Sequence, residues 1–120
     1  FSMVGDVFRL SAEEQISVAT VIAGSGPAYF YFVSEAIVRA AENLGMPTML
    51  AKKLTKQTAL GAAQLALPVQ ADLQELRQSV TSSKGTTAAA IECMLELGLD
   101  EIVIKAVKAA YQRSLELKKP

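Results

Sequence analysis

A long apolar segment without a proper polar face constrains the fold of this chain more than any other feature. Residues 27–44 carry apolar side chains in nearly every direction around a helix, and Glu35, Arg39 and Glu42 form the only polar strip. The strip is narrow, because spacings of four and seven residues fall on one side of a helix. Such a helix must be buried nearly all round. A chain of 120 residues offers a single core, so the pattern predicts that a second subunit covers part of this helix.

The same region raises the question of a membrane span. Residues 16–34 form an uncharged run of 19 residues, and a spanning helix needs about 20. The sequence Gly24-Ser25-Gly26-Pro27 lies in its middle, where a helix break would leave backbone groups unpaired in lipid. Glu35 and Arg39 follow at once. We therefore predict a buried helix and no membrane association.

Composition excludes several classes of function. Twelve basic and twelve acidic residues cancel without a basic run, so nucleic acid is not an expected partner. The chain has no histidine, which excludes His-based metal sites and Ser-His-Asp triads. We predict no metal site. The single cysteine, Cys93, excludes an intrachain disulfide and fits a reducing cytoplasm; its apolar helical surroundings predict a buried thiol.

Capping residues and helix breakers divide the chain into helices. Ser11 with Glu14, and Asp72 with Glu75, have the spacing of capping boxes, and Asp100 is a third candidate cap. Glycine and proline punctuate the remaining ends. The pattern predicts helices at 11–22, 27–44, 48–67, 73–80, 87–97 and 101–118, with a break at 24–26. Residues 1–10 are typical of a short strand whose pairing partner lies elsewhere.

The loop at residues 80–92 is the candidate binding element. Five hydroxyl side chains occur within the seven residues 81–87, around Gly85, and an Ala-Ala-Ala run follows. A helix that starts here would direct unpaired N–H groups and its positive end toward an anion such as a carboxylate or phosphate. The alternative interpretation is that the hydroxyls only cap the helix. A phosphate-binding P-loop is a poor match, because Lys84 precedes Gly85 and Ser79 replaces the first glycine of that motif.

Several segments, in order along almost the whole chain, resemble one enzyme family, pyrroline-5-carboxylate reductase. The segments are 76–92 (LRQSVTSSKGTTAAAIE), 23–29 (AGSGPAY), 44–47 (LGMP), 57–63 (QTALGAA) and 109–114 (AAYQRS). The resemblance implies an all-α domain of five to six helices that forms an intertwined homodimer, and it leaves a larger assembly of dimers open. It also implies that residues 1–10 are the remnant of the last strand of, or the linker from, a nucleotide-binding domain, and that residues 11–120 form the helical dimerisation domain.

The resemblance further implies reduction of 1-pyrroline-5-carboxylate to proline by NADPH or NADH in the cytoplasm. No Gly-x-Gly-x-x-Gly occurs here, so we expect the cofactor to bind outside this chain and the chain alone to be inactive. The implied residues for substrate or proline binding are Ser82, Gly85, Thr86 and Thr87. Thr87 is also a candidate hydrogen-bond partner of the imine nitrogen, and Thr20 could line the pocket or be an ordinary helix-end residue.

The chain departs from the family pattern at one point, where Ser83-Lys84 replaces the usual Pro-Gly. We expect a more relaxed backbone there and a Lys84 side chain in solvent. Two other functions stay open. The chain could be a stand-alone helical oligomerisation module whose loop is only a cap, or the helical part of another dehydrogenase that acts on a different small acid.

Overall fold

The computed structural model describes residues 9–10 and 12–119, and these residues are helical with short connections. The helices are α1 (Glu13–Ala19), a π-helical turn (Thr20–Gly24), α2 (Gly26–Asn43), α3 (Thr48–Ala66), α4 (Leu73–Ser79), α5 (Thr86–Glu96) and α6 (Leu99–Lys118). The first three segments join into one continuous helix, Glu13–Asn43. The described residues therefore form five separate helices and no strand, which confirms the all-α prediction. The predicted strand falls mainly on residues 1–8, outside the described residues, so the predicted boundary at residue 10 stays a prediction.

The π-helical turn corrects the predicted break at 24–26. The Ser25 amide donates to the Thr20 carbonyl, five residues back, at 3.1 Å, and α2 resumes at Gly26. Proline in a helix clashes with the carbonyl four residues before it and donates no hydrogen bond. A wider turn ahead of Pro27 accommodates the proline without ending the helix. The Val21 carbonyl, which loses its usual amide partner, accepts a hydrogen bond from the Tyr29 hydroxyl at 2.9 Å.

Most predicted helix ends are confirmed, and their capping is local. After α2, Gly45 adopts a φ of 97°, and the amides of Gly45 and Met46 bond back to Glu42 and Ala41 at 2.9 and 3.0 Å. This is a Schellman cap, in which glycine is favoured because of its positive φ. At the start of α4 the Asp72 carboxylate accepts from the Glu75 amide at 2.9 Å. The Ser11 partner of the first capping box lies outside the described residues.

One predicted cap is wrong. Helix α6 begins at Leu99, so Asp100 lies inside its first turn instead of preceding it. The reason is Gly98, whose φ of 76° ends α5 and reverses the chain within one residue. Acidic residues in a first turn still interact favourably with the positive helix end.

The chain divides into two units, Phe1–Tyr29 with Glu101–Pro120, and Phe30–Asp100. In the first unit Ser17 and Val21 are buried, and the Lys118 ammonium donates to the Ser17 hydroxyl, which connects the end of α6 to α1. In the second unit only Ala51 and Thr55 are buried among the described residues. Large apolar side chains elsewhere in that unit stay exposed, and Cys93 is exposed too, contrary to the buried thiol that we predicted.

The second unit is thus a set of helices without a core of its own. Ordering a residue costs roughly 1–2 kcal/mol of backbone entropy, whereas fully burying a large apolar side chain contributes about 1.5–3 kcal/mol. Only Ala51 and Thr55 are buried in this unit. The favourable free energy of burying apolar side chains is therefore nearly missing from it. The exposed apolar side chains must therefore be covered by something outside it.

The continuous helix Glu13–Asn43 is 31 residues long and, by length and composition alone, could cross a membrane. From the sequence we expected a break with unpaired backbone groups at 24–27, followed by the charged Glu35 and Arg39, to prevent a span. The expected break is wrong, because the π-helical turn pairs the Ser25 amide and the helix continues. The ends of the apolar segment remain charged, with Glu13 and Glu14 before it and Glu35, Arg39 and Glu42 within its last turns.

The hydrogen bond from Tyr29 to Val21 predicts a stability effect. Tyr29→Phe should lower the free energy of unfolding by about 1 kcal/mol, because the Val21 carbonyl loses its partner while Val21 itself is buried. Urea denaturation followed by circular dichroism measures the change. Tyr31→Phe is the matched control, since Tyr31 is exposed. Equal stability of the two variants would contradict this account of the π-helical turn.

Candidate functional site

The candidate site begins where α4 ends. The Ser79 hydroxyl donates to the Leu76 carbonyl at 2.7 Å, and the Thr81 hydroxyl donates to the Arg77 carbonyl at 2.5 Å. The Thr81 amide bonds to Gln78 at 3.0 Å. These bonds satisfy carbonyl groups in the last turn of the helix. Thr81, which we had counted among the hydroxyls available to an anion, instead anchors the loop to α4.

A tight turn over Ser82 to Gly85 follows. The Gly85 amide donates to the Ser82 carbonyl at 3.0 Å, and Lys84, the third residue of the turn, has a φ of 59°. This combination is typical of a type II turn, for which proline at the second position and glycine at the third are preferred. The geometry explains the Pro-Gly pair expected from the resemblance, because Ser83 and Lys84 occupy those two positions.

Gly85 leaves room for the close approach of Ser82. A Cβ atom at Gly85 would lie 2.3 Å from the Ser82 Oγ and 3.2 Å from the Ser82 carbonyl oxygen. Both distances are shorter than ordinary contacts, so any side chain at position 85 would push Ser82 away. Gly85 itself has ordinary extended backbone, with φ −86° and ψ −179°. Its role is therefore to leave space for the Ser82 hydroxyl beside the start of α5.

The first turn of α5 presents backbone donors. Gly85 is the N-cap residue, and no side chain caps the helix. The first amides of an α-helix have no partner within the helix. The Gly85 amide is used by the turn, which leaves the amides of Thr86, Thr87 and Ala88. Our alternative interpretation, that the hydroxyls of this loop serve as caps, is therefore wrong for α5.

The electrostatic setting of this turn favours an anion. Between residues 77 and 91 the only charged side chains are Arg77 and Lys84, and both are positive. The positive end of the α5 dipole adds to them. Ser82 and Thr86 are exposed, whereas Gly85 and Thr87 are half-buried. The hydroxyl groups of Ser82, Thr86 and Thr87 make no hydrogen bond to another described residue. The site therefore offers free hydroxyls beside free amides.

The fold thus brings four of the five predicted site residues together. Ser82, Gly85, Thr86 and Thr87 share the turn and the first turn of α5 within the second unit. Thr20 belongs to the first unit, where it starts the π-helical turn and its hydroxyl donates to the Ile16 carbonyl at 2.8 Å. The helix continues through Thr20, so it is not the helix-end residue of our alternative interpretation, and its place in a pocket stays a prediction. Among residues 9–10 and 12–119, no group of three metal-binding side chains occurs.

Sequence reasoning missed a groove of about 770 Å³ between α2 and α3. Its walls carry opposite charges, with Glu35 and Glu42 on α2 and Lys52 and Lys56 on α3. None of the loop residues lines it. The ion pair on its rim, between Arg39 and Glu35 at 3.9 Å, is exposed and contributes little to stability. The polar strip of α2 and the lysines of α3 were visible in the sequence, but nothing in it placed them face to face.

The positive φ of Lys84 predicts that glycine is better there. Lys84→Gly should raise the free energy of unfolding by about 1 kcal/mol, because a residue with a Cβ is strained in the left-handed region. Chemical denaturation measures the gain. Lys84→Ala is the control, since it removes the charge and keeps the strain. A gain of the same size in the alanine variant would show that charge, and not backbone strain, limits stability at this position.

Comparison with known proteins gives a consistent result. The family described as pyrroline-5-carboxylate reductase dimerisation matches residues 13–117. A pyrroline-5-carboxylate reductase of Pseudomonas aeruginosa is 47% identical over 116 residues, which are 97% of this chain and 42% of that protein. The chain therefore spans less than half the length of this relative.

Solved structures agree in fold. A pyrroline-5-carboxylate reductase from Coxiella burnetii matches with a TM-score of 0.91 and 45% identity, over 98% of this chain and 43% of the other. A pyrroline carboxylate reductase of Plasmodium falciparum, with NADP bound, matches with a TM-score of 0.87 and 28% identity, over 96% and 44%. The chain belongs to the pyrroline-5-carboxylate reductase dimerisation family.

Proposed function

We propose that this chain is the dimerisation and substrate-binding part of a pyrroline-5-carboxylate reductase, which reduces 1-pyrroline-5-carboxylate to proline in proline biosynthesis. The observation that supports this best is the start of α5, where free amides and free hydroxyls meet behind a turn in which glycine at position 85 leaves room for the Ser82 hydroxyl. A substrate carboxylate is the kind of anion that such a helix start binds. The names of the relatives supply the reaction.

In this proposal the loop holds the carboxylate. The amides of Thr86 and Thr87 and the hydroxyl of Ser82 donate hydrogen bonds to its oxygens, and Gly85 gives the oxygens access to the backbone. Hydrogen bonds to a charged partner are stronger than neutral ones. Fixing the carboxylate orients the pyrroline ring, so that the carbon of its C=N bond faces the hydride donor. Orientation of this kind is a major source of rate acceleration.

The hydride itself comes from NADPH or NADH. It adds to the C=N carbon, the nitrogen takes up a proton, and the product is proline. The Thr87 hydroxyl is well suited to hydrogen bond with that nitrogen if the carboxylate lies on the amides beside it. We propose that the cofactor binds outside these 120 residues, since the sequence contains no Gly-x-Gly-x-x-Gly. The NADP in the Plasmodium falciparum structure supports a nicotinamide cofactor.

We further propose a homodimer, able to join a larger assembly, that works in the cytoplasm without a membrane or nucleic-acid partner. The family description supports self-association. The exposed apolar side chains of α2, among them Phe30, Phe32 and Ile37, need a covering surface. A second copy of the chain supplies a covering surface that is apolar in the same way. Permanent interfaces of this kind bury roughly 2,000 Å² or more.

A second candidate function is a stand-alone helical oligomerisation module. The observation that favours it is the same exposed apolar surface, which an oligomer would cover. In that case the loop at 82–87 would bind no ligand. The two functions differ in their response to proline and to substitutions in the loop.

Thr87→Ala in the intact protein should weaken binding of proline and of 1-pyrroline-5-carboxylate by about 10- to 100-fold. The substitution removes the hydroxyl that we place against the ring nitrogen, which is charged in proline, and a hydrogen bond to a charged group contributes about 1.5–3 kcal/mol. Isothermal titration with proline and steady-state kinetics measure the loss. Ser83→Ala is the matched control, because Ser83 is an exposed hydroxyl of the same loop without a proposed role. Unchanged proline binding in Thr87→Ala would favour the oligomerisation module.

A chain limited to residues 1–120 should not oxidise NADPH in the presence of 1-pyrroline-5-carboxylate, because the residues that bind the nicotinamide would be missing from it. Absorbance at the NADPH band follows the reaction, with the intact protein as the positive control. Turnover by the 120-residue chain itself would show that the cofactor site lies within it.

A further inference from the structure

Lys84 is the residue of the loop at 82–87 whose role the proposed function leaves open. Its side chain is exposed. Its ammonium group forms no ion pair or hydrogen bond with another residue in the part of the chain that the structure describes. Lys84 has a φ of 59° and is the third residue of the turn before α5, where this kind of turn prefers glycine. A free cation therefore occupies a position that suits a residue without a side chain.

The Lys84 charge lies near the amides that open α5. Successive Cα atoms are about 3.8 Å apart, so the Cα atoms of Lys84 and Thr86 are separated by at most about 7.6 Å. A lysine side chain that extends into solvent still keeps its charge well within the Debye length at low ionic strength, which is about 30 Å at 0.01 M. An anion at the start of α5 is therefore exposed to the field of Lys84 without touching it.

The loop carries no acidic side chain that would oppose this charge. Between residues 77 and 91 the charged side chains are Arg77 and Lys84. The acidic residues nearest in sequence are Glu75, in the first turn of α4, and Glu92, in the second half of α5. Glu92 lies six residues beyond Thr86, which is about 9 Å along the helix axis. The charges close to the start of α5 in sequence are thus positive, and Lys84 is the nearer of the two.

We propose that Lys84 is a specificity-determining residue, which attracts anionic substrate to the start of α5 through its field and without direct contact. The proposal rests on the carboxylate site of the proposed function. It adds a residue that the resemblance does not supply, because the family pattern has glycine at this position. With its imine nitrogen unprotonated, 1-pyrroline-5-carboxylate carries a net negative charge, so a cation close to its site favours binding.

This attraction acts on binding and leaves the chemical step unchanged. The substrate carboxylate keeps its charge while hydride adds to the C=N carbon. The field of Lys84 therefore stabilises the bound substrate and the transition state to the same extent. Interactions of this kind lower KM and do not change kcat.

The charge is held on a strained backbone, so binding and stability should respond to Lys84→Gly in opposite directions. The substitution relieves the positive φ of the lysine and should raise the free energy of unfolding, as predicted for the turn above. It also removes the cation and should weaken substrate binding. Lys84→Ala removes the same charge and keeps the strain, so it should weaken binding without the gain in stability.

Steady-state kinetics of the intact protein test the proposal. At about 0.01 M ionic strength, Lys84→Ala and Lys84→Gly should each raise the KM for 1-pyrroline-5-carboxylate about two- to fivefold with kcat unchanged, the size expected for unit charges roughly 8 Å apart near a protein surface. At about 1 M salt, where the Debye length is about 3 Å, the difference from the unsubstituted protein should vanish. Lys84→Arg keeps the charge and should match the unsubstituted protein at both salt concentrations.

Two controls separate the charge of the loop from other effects. Lys53→Ala removes an exposed lysine of α3, outside the loop, and should leave the KM for 1-pyrroline-5-carboxylate unchanged at low salt. The KM for NADPH, measured in the same variants, shows which anion responds to Lys84. A salt-dependent loss confined to NADPH would overturn the assignment of Lys84 to the substrate.

The remaining outcomes distinguish the role of Lys84 from the carboxylate site itself. An unchanged KM in Lys84→Ala at low salt, together with weaker proline binding in Thr87→Ala, would overturn the role of Lys84 and leave the site intact. No effect of either substitution would overturn both. A loss of the same size in Lys84→Arg, or a loss that persists at about 1 M salt, would show that the shape of the turn is responsible and would also overturn the proposal.

Discussion

The structure depends on how the long helix Glu13–Asn43 is covered. Its second half, α2, is apolar on almost every side, and the unit that contains most of it, Phe30–Asp100, buries only Ala51 and Thr55 among the described residues. A helix that is apolar all round is stable in water only inside a larger core. The remaining core must come from another surface, and membership of a dimerisation family makes a second copy the natural source.

The candidate site is held by backbone geometry and depends little on long side chains. Thr81 ties the loop to the end of α4, the turn bond from Gly85 to Ser82 reverses the chain, and the missing side chain at Gly85 lets Ser82 lie against the start of α5. Each contact is formed by residues close in sequence. Such a loop can keep its shape while its surroundings are completed by a partner, so binding and dimerisation are compatible on one small domain.

Local signals predicted most of the fold. The roles of Gly45 and of the Asp72 cap could be predicted, because the unpaired backbone groups at helix ends form hydrogen bonds with residues close in sequence. The π-helical turn could not be predicted in this way, since a proline such as Pro27, which follows two glycines, is also a good start for a new helix. Only the hydrogen bonds of Ser25 and Tyr29 distinguish a widened turn from a break. The exposed Cys93 was missed for a related reason: an apolar helix face predicts burial but does not say which chain provides it.

The sequence by itself determined the helical class, the positions of most helix ends and the hydroxyl-rich loop, because propensity, capping and turn chemistry act over a few residues. The tertiary structure decided which hydroxyls are free and which are used, since that depends on three-dimensional bonds such as those of Thr81 and Thr20. It also showed that Lys84 stands where the turn favours glycine, and that α2 and α3 face each other across a charged groove. These features join residues by packing and backbone angles, which no pattern of residue types specifies alone.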